Sequence, residues 1–95
     1  MKNFDKLCFK IIDKAALSSL EDETILLNLS SGTYFRVNSV GSFVIEKISD
    51  FKSFEEIVNY VSEAFDIDYH DCENDIKSFL TNLKKRELIE IKEKS

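Results

Sequence analysis

The hydrophobic pattern of this chain changes at Asn38, and the change fixes the order of its secondary structure. Upstream, residues 24–29 and 33–37 alternate between apolar and polar side chains, which is typical of strands with one covered face. The Ser-Ser-Gly sequence between them is typical of a tight turn, because Gly32 can adopt the positive φ that closes a short hairpin. Residues 24–37 are therefore predicted to form a β-hairpin.

The two hairpin strands are predicted to have distinct faces, since side chains alternate across a strand. In the first strand, one face carries the alternating apolar residues Ile25, Leu27 and Leu29. Leu26 is also apolar, which indicates that the other face is partly covered. In the second strand, Phe35 and Val37 are predicted to lie on one face, with Tyr34 and Arg36 on the opposite face.

Downstream of Asn38, three segments carry apolar residues at helical spacing. Their stripes are Val40, Val44 and Ile48 with Phe43 and Ile45; Phe54, Ile57, Val58, Val61, Ala64 and Phe65; and Cys72, Ile76, Phe79, Leu80 and Leu83. Asn38 or Ser39 is predicted to cap the first helix, and Ser53 with Glu56 forms a capping-box sequence before the second. Gly41 lies in the first turn of the first helix, where a missing side chain allows a close approach to the hairpin.

Strand-like segments also precede the hairpin, at residues 6–12 and 15–20, and a short apolar tail, Leu88, Ile89 and Ile91, follows the third helix. Strands followed by helices predict the α+β class, in which the helices pack on one side of a small sheet. We expect a winged helix-turn-helix-like fold, with a three-stranded antiparallel sheet followed by three helices. A chain of 95 residues is expected to form a single domain, residues 1–95.

Composition restricts the class of protein. A hydrophobic fraction of 43% and an aromatic content of 12% exclude a disordered segment, although 33% of the residues are charged. The sequence contains no apolar run near the roughly 20 residues of a membrane span. The N-terminal residues mix acidic and basic side chains without an apolar signal-peptide region, so we expect a cytoplasmic protein that does not bind membranes.

The charge of the chain argues against nucleic acid as a partner. The formal net charge is −5, whereas phosphate binding depends on clustered lysine and arginine. The one dense basic cluster, Lys84-Lys85-Arg86, lies at the predicted end of the third helix, where basic side chains complement the helix dipole. No nucleic acid is therefore expected as a partner.

The chemistry of the side chains gives little support to catalysis. The chain has one histidine and none of the common nucleophile, phosphate-binding or metalloprotease motifs, so we expect no enzymatic activity and no cofactor. Cys8 and Cys72 are interpreted as small buried hydrophobic residues, with a disulfide between them as the alternative. His70 and Cys72 lack the further ligands that a zinc site requires, so no metal is expected.

The second hairpin strand is the part of the chain that suggests a function. It is the last predicted strand before the helices, so it is expected to lie at an edge of the sheet, with backbone N–H and C=O groups unpaired. Such an edge can accept an extended peptide as an added strand. The third helix is predicted to form the opposite wall through Asp75, Ser78, Phe79 and Asn82, which share one stripe. The alternative is that the polar residues of this stripe are a solvated face.

Several segments, in order, resemble the family of coenzyme PQQ synthesis protein D (PqqD). The sequence ETILLNLSSGTYFRVN followed by Val40-Gly41 resembles the family pattern E-x-x-LLN-L-x-x-G-x-Y-[YF]-x-[LV]-N-x-x-G. The similarity continues through residues 54–57, 64–68, 75–83 and 88–90, so that it covers residues 10–91. Two departures concern packing and a helix end: Val44-Ile45 replaces a segment with tryptophan, and Glu87 replaces a glycine.

The resemblance implies a recognition element for ribosomally synthesised and post-translationally modified peptides. Such domains bind the leader of a precursor peptide as an added strand and present it to a radical S-adenosylmethionine maturase or, in lasso-peptide systems, a leader protease. The peptide-binding residues implied by position are Thr33, Tyr34, Phe35, Arg36, Val37, Asp75, Ser78, Phe79 and Asn82. A monomer or weak homodimer is expected. The alternatives are a DNA-binding regulator with a winged helix and a protein-interaction subunit with another partner.

Overall fold

The computed structural model describes residues 3–21 and 23–94 of the chain. After a 3₁₀ turn at Phe4–Lys6, its elements in chain order are β1 (Leu7–Ile11), β2 (Ala15–Leu20), β3 (Glu23–Asn28), β4 (Tyr34–Val37), α1 (Ser39–Lys47), β5 (Lys52–Ser53), α2 (Phe54–Phe65), α3 (Tyr69–Lys85) and β6 (Ile89–Glu93). The strands form two antiparallel three-stranded sheets, ordered β2-β3-β4 and β5-β1-β6. The α+β class, with an antiparallel sheet followed by three helices, is confirmed.

The second sheet was not part of the sequence prediction. Residues 6–12 were predicted to be a strand, and β1 occupies that position, but it pairs with the C-terminal tail rather than with the hairpin. In this ladder Phe9 lies opposite Ile91, and Ile11 lies opposite Ile89. Pairing between the two ends of a chain depends on tertiary packing, so a local pattern gives no signal for it. The tail therefore forms β6 instead of an irregular end.

The hairpin turns a different face of β3 toward the core than its alternation suggested. Leu26 and Val37 are buried, while Ile25 and Leu27 are half-buried on the outer face of the sheet. Leu29 lies beyond the strand and is 58% exposed. Leu26 faces inward because it pairs directly with Phe35 of β4, whose aromatic ring packs against the core. The predicted faces of β4 agree with the structure.

One hydrophobic core joins the three helices to both sheets. Its fully buried large side chains are Phe9, Leu26, Val44, Ile48, Phe54, Ile57, Val58, Val61, Ile76, Leu80, Leu83 and Leu88. They come from the apolar stripes of the three helices, from the inward faces of β1 and β3, and, for Leu88, from the connection between α3 and β6. Burying these side chains supplies most of the driving force for folding.

Both predicted N-terminal helix caps form. The Asn38 side chain accepts a hydrogen bond from the Gly41 N–H over 2.8 Å at the start of α1. At the start of α2, the Ser53 N–H donates to Glu56 Oε1 over 3.0 Å, and the Glu56 N–H donates to Ser53 Oγ over 3.1 Å. The backbone hydrogen bond from Ser53 holds the pKa of Glu56 below its usual value of 4.5. These caps satisfy donors that would otherwise have no partner in the helix.

The two cysteines are free thiols, with Cys72 buried and Cys8 half-buried, so the disulfide alternative is not adopted. In the segments described, no helix has the length and apolar character needed to cross a bilayer.

Candidate functional site

The open edge of β4 and the facing side of α3 form a groove, which we call the edge groove. Within the described residues β4 pairs only with β3, so its other side is unpaired. Gly41, in the first turn of α1, lies close to both Val37 of β4 and the Phe79 ring of α3. The groove therefore has a backbone wall, a helical wall and a floor of packed side chains.

The alternation of hydrogen-bonded and non-hydrogen-bonded residue pairs in the hairpin determines which backbone groups of β4 face the groove. The Asn28 N–H donates to the Thr33 carbonyl over 2.9 Å, which makes this pair hydrogen-bonded. In an antiparallel ladder such pairs alternate with unbonded pairs, so Phe35 and Val37 point their backbone groups at β3. Tyr34 and Arg36 direct their N–H and C=O groups outward, to the open edge.

The helical wall is a straight stripe along α3. Asp75, Phe79 and Asn82 lie on it, and Arg86 extends it by one more turn, because eleven residues make about three complete helical turns. The Phe79 ring packs against the Phe35 ring of β4, with 6.0 Å between centroids and an interplanar angle of 30°. This pair joins the two walls in the middle of the groove.

Gly41 permits the close contact between α1, α3 and the hairpin. A Cβ atom at this position would lie 3.0 Å from Phe79 Cε1, 3.1 Å from Phe79 Cζ and 3.3 Å from Val37 Cβ. Such distances are shorter than normal van der Waals contact, so a side chain here would push the Phe79 ring away. The predicted close approach of Gly41 to the hairpin is confirmed, and it also involves the helical wall.

A cavity of about 380 Å³ opens at the end of the groove where β4 leads into α1. It is lined by Asn38, Val40, Gly41, Val61, Ile67, Cys72, Asp75, Ile76 and Phe79. Burial raises the pKa of the Cys72 thiol, and the neighbouring carboxylates of Asp75, Asp71 and Asp68 raise it further. The thiol is therefore protonated at neutral pH and contributes an apolar lining rather than a nucleophile.

The opposite end of the groove is held by Asn28 and Arg86. The Asn28 side chain is 3% exposed, and its Nδ2 donates to the Glu87 carbonyl over 3.1 Å. The Arg86 guanidinium lies over the Phe35 ring, 4.6 Å from its centroid. A cation over an aromatic face is stabilised by the ring quadrupole, which keeps Arg86 beside the groove.

The end of α3 has the hydrogen bonds of a Schellman motif. The Leu88 N–H donates to the Leu83 carbonyl over 2.9 Å, and the Glu87 N–H donates to the Lys84 carbonyl over 3.0 Å. Glu87 has φ of 56°, a left-handed conformation that favours glycine. The left-handed conformation accounts for the glycine of the family pattern, and Glu87 adopts the same conformation here without that residue's freedom.

The structure brings most of the predicted binding residues to the edge groove. The side chains that line the groove or lie on its helical stripe are those of Phe35, Asp75, Phe79 and Asn82, and Val37 packs beneath it. Tyr34 and Arg36 contribute backbone groups to the groove, while their side chains lie on the outer face of the sheet. Arg36 forms an exposed ion pair with Glu23 at 3.3 Å.

Two predicted residues lie less directly on the groove. Thr33 belongs to the turn, where its N–H donates to Ser31 Oγ over 3.2 Å. Ser78 is exposed on the flank of the α3 stripe and does not line the cavity.

Several groove residues were missed from the sequence: Arg86, Asn28, Ile67 and Asn38 as a lining residue. Arg86 was the one with a readable signal, since it continues the stripe of Asp75 and Phe79 at helical spacing. The role of Asn28 depends on residues 58 and 59 positions away, which no local pattern indicates.

Comparisons with known proteins agree with this architecture. A solved structure of TbiB1 in complex with the TbiA(beta) leader peptide superimposes with a TM-score of 0.72 at 36% identity, covering 85% of this chain and 94% of that chain. Lasso peptide synthetase B1, complexed with the leader peptide, has a TM-score of 0.70 at 20% identity, covering 86% and 96%, and shows a likeness of fold. No curated protein matches the chain. The family model for coenzyme PQQ synthesis protein D matches residues 23–89, so the chain belongs to the PqqD family.

Proposed function

We propose that this protein binds the leader segment of a ribosomally synthesised precursor peptide in the edge groove and presents it to a modifying enzyme. The leader adds to β4 as a further strand and lies beside α3. The observation that carries the proposal is the open edge of β4, with Tyr34 and Arg36 directing backbone groups at a groove walled by Phe79. The two similar solved structures are complexes with leader peptides, which supports this choice of ligand.

The geometry supplies both affinity and selectivity. Tyr34 and Arg36 provide two donors and two acceptors to a guest backbone, and such bonds do not depend on the guest sequence. Selectivity then comes from alternate guest side chains, which meet the α3 stripe and the cavity lined by Ile67 and Asp75. A dissociation constant of about 1 µM, or about −8 kcal/mol, allows binding and release during turnover.

The benefit to the modifying enzyme is a higher local concentration of the attached core peptide. Weak contacts at the active site then suffice, so variable core sequences are accepted. The partner enzyme is a radical S-adenosylmethionine maturase or a leader protease. The protein, its precursor peptide and this enzyme interact in the cytoplasm, where the precursor is synthesised. The protein itself contributes binding and carries out no catalytic step.

A selection experiment tests the proposal directly. The full chain is immobilised and used to select from a display library of random peptides of about twelve residues, long enough to span the groove as a strand. The TbiA(beta) leader peptide is included as a defined member. Bound complexes are then examined by amide hydrogen exchange resolved to single residues.

We expect peptide binding to protect the amides of Tyr34 and Arg36, whereas those of Phe35 and Val37 are already protected by β3. Peptides that bind without protecting Tyr34 and Arg36 would contradict strand addition. The same protein is tested against random duplex DNA at low salt, which addresses the DNA-binding alternative. The first half of α3 carries Asp71, Glu73 and Asp75, so we expect no shift of the duplex.

A further inference from the structure

Building on the proposed function, we infer that the edge groove selects a guest strand with a basic residue followed, about four positions later, by an acidic residue. The basic residue enters the cavity beside Asp75, and the acidic residue pairs with Arg86. The two charged positions lie at opposite ends of one stripe on α3. The preference follows from charge, spacing and strand direction.

Arg86 is a cation that lacks an anionic partner in the described part of the chain. Its guanidinium lies 4.6 Å from the centroid of the Phe35 ring, and the ion pairs of the described residues do not include it. Phe35 belongs to β4, so the cation lies beside the strand that a guest would extend. Arginine presents several donors in a rigid fork that matches a carboxylate. An acidic guest side chain at this end satisfies both the charge and the geometry.

Asp75 provides the complementary charge at the other end. It borders a cavity whose remaining lining is largely apolar, including Val40, Ile67 and Ile76. Asp68 and Asp71 add negative charge near the same wall, close enough to act on the Cys72 thiol. Lysine and arginine combine an aliphatic stem with a charged tip, so either can fill the cavity and reach the carboxylate. A wholly apolar side chain would leave the carboxylates unpaired.

The spacing follows from helix and strand geometry. Asp75 and Arg86 are about three turns apart on α3, or roughly 16 Å. An extended guest rises about 3.3 Å per residue, and only alternate side chains point to the same side. Four residues of the guest span about 13 Å, and its two flexible charged side chains lean apart to cover the remaining distance of about 3 Å, so an even spacing of about four residues fits.

Strand direction gives the order of the two charges. β4 begins near Arg86, through Phe35, and ends at Val37 and Asn38 beside the cavity. Every strand pair in the sheet is antiparallel, and antiparallel pairing is the more stable arrangement per residue. An antiparallel guest therefore starts at the cavity and runs toward Arg86. Its basic residue precedes its acidic residue.

The alternative role for Arg86 is to complement the helix dipole, as any basic residue at a helix end does. In that case Arg86→Glu and Lys84→Glu would have the same effect on the selected peptides. Lys84 lies at the same helix end but on the opposite side, half a turn from the Asp75–Arg86 stripe. It serves as the matched control, since Lys84→Glu changes the charge of the helix end by the same amount as Arg86→Glu. Only the second change alters the groove.

The test repeats the peptide selection with the full-length wild type, Arg86→Glu, Arg86→Gln and Lys84→Glu. Wild type and Lys84→Glu are expected to enrich lysine or arginine followed by an acidic residue four positions later. Arg86→Glu is expected to replace the acidic preference by a basic one. Arg86→Gln, which retains a polar side chain without charge, is expected to lose the acidic preference while its melting temperature confirms folding.

A charge swap measures the size of the effect. A peptide enriched on the wild type is expected to bind Arg86→Glu about tenfold more weakly, or about 1.4 kcal/mol. Replacing its acidic residue with lysine should weaken binding to the wild type and restore binding to Arg86→Glu. Enriched peptides without this charge pattern, or a pattern unchanged by Arg86→Glu, overturn the inference while leaving strand addition intact. Failure to select any peptide that protects Tyr34 and Arg36 overturns the proposed function, and the inference with it.

Discussion

The side-chain amide of Asn28 donates a hydrogen bond to the backbone carbonyl of Glu87, with 3.1 Å between the two atoms. Its carbonyl oxygen accepts from the N–H groups of Ser30 and Ser31, at 3.0 and 3.2 Å. One buried side chain thus ties the hairpin turn to the end of α3. These are the two walls of the edge groove at its Arg86 end.

Replacing Asn28 by alanine is expected to lower the free energy of unfolding by about 2–3 kcal/mol, because backbone groups lose partners in a buried site. Chemical denaturation measures this change. Asn38→Ala is the control, since it removes one helix-capping bond and should cost about 1 kcal/mol. Equal losses for the two variants would show that Asn28 contributes no more than an ordinary cap.

Replacing Glu87 by glycine is expected to stabilise the protein by about 1 kcal/mol, because φ of 56° strains a residue with a Cβ atom. The melting temperature should rise accordingly. Glu90→Gly makes the same substitution in the extended strand β6 and should destabilise the protein by about 0.5–1 kcal/mol. A decrease in stability for Glu87→Gly would mean that the glutamate side chain makes a stabilising interaction that outweighs the strain.

Replacing Gly41 by alanine is expected to reduce the affinity for a selected peptide about fivefold, by pushing the Phe79 ring into the groove. Stability should change by less than about 1 kcal/mol, since the better helix propensity of alanine offsets the crowding. Fluorescence anisotropy with a labelled peptide and thermal unfolding measure the two effects. Ser42→Ala, at the next helical position, should leave affinity unchanged. An unaltered affinity for Gly41→Ala would refute this account of the groove.

Replacing Tyr34 by proline is expected to weaken peptide binding at least about fivefold, because it removes an outward N–H worth about 1 kcal/mol in a backbone hydrogen bond. Proline is tolerated at the first position of an edge strand, so the fold should persist. Tyr34→Ala retains the N–H and is the control for the lost ring. By contrast, Phe35→Pro should disrupt the hairpin, since that N–H faces β3. Calorimetric titration with a selected peptide distinguishes these outcomes.

The Glu56 cap makes stability depend on pH. Because the folded pKa of Glu56 is lower than 4.5, its contribution is present above that value and is lost as the pH falls through the folded pKa. Glu56→Gln is therefore expected to be less stable than the wild type by about 0.5 kcal/mol at neutral pH. The difference should vanish in acid, as measured by urea denaturation at a series of pH values. Glu55→Gln removes a carboxylate from the same helical turn without touching the capping box, so it is the matched control.

The features that the sequence predicted correctly are those that local chemistry decides. Gly32 has φ of 79° in the turn, Asn38 caps α1, and Ser53 with Glu56 forms the capping box. Each depends on residues only a few positions apart. The helical stripes were equally readable, because a burial period is a local property.

The features that were missed depend on contacts between distant segments. β1 and β6 pair across nearly the whole chain, and Asn28 bonds to the end of α3. Arg86 was interpreted as a helix-dipole residue, because only the folded hairpin brings Phe35 beneath it. The edge position of β4 was predicted correctly, but the outward direction of the Tyr34 and Arg36 backbone groups required the hairpin register.

The pairing of β1 with β6 has a consequence during synthesis on the ribosome. The hairpin and helices emerge in an order that lets each contact its neighbour soon after it is made, whereas Phe9 lacks its cross-strand neighbour Ile91 until β6 leaves the exit tunnel. Until then, one of the largest core side chains has an incomplete environment. Nascent chains that stall before Ile89 are therefore expected to remain only partly folded and to be the forms most dependent on chaperones.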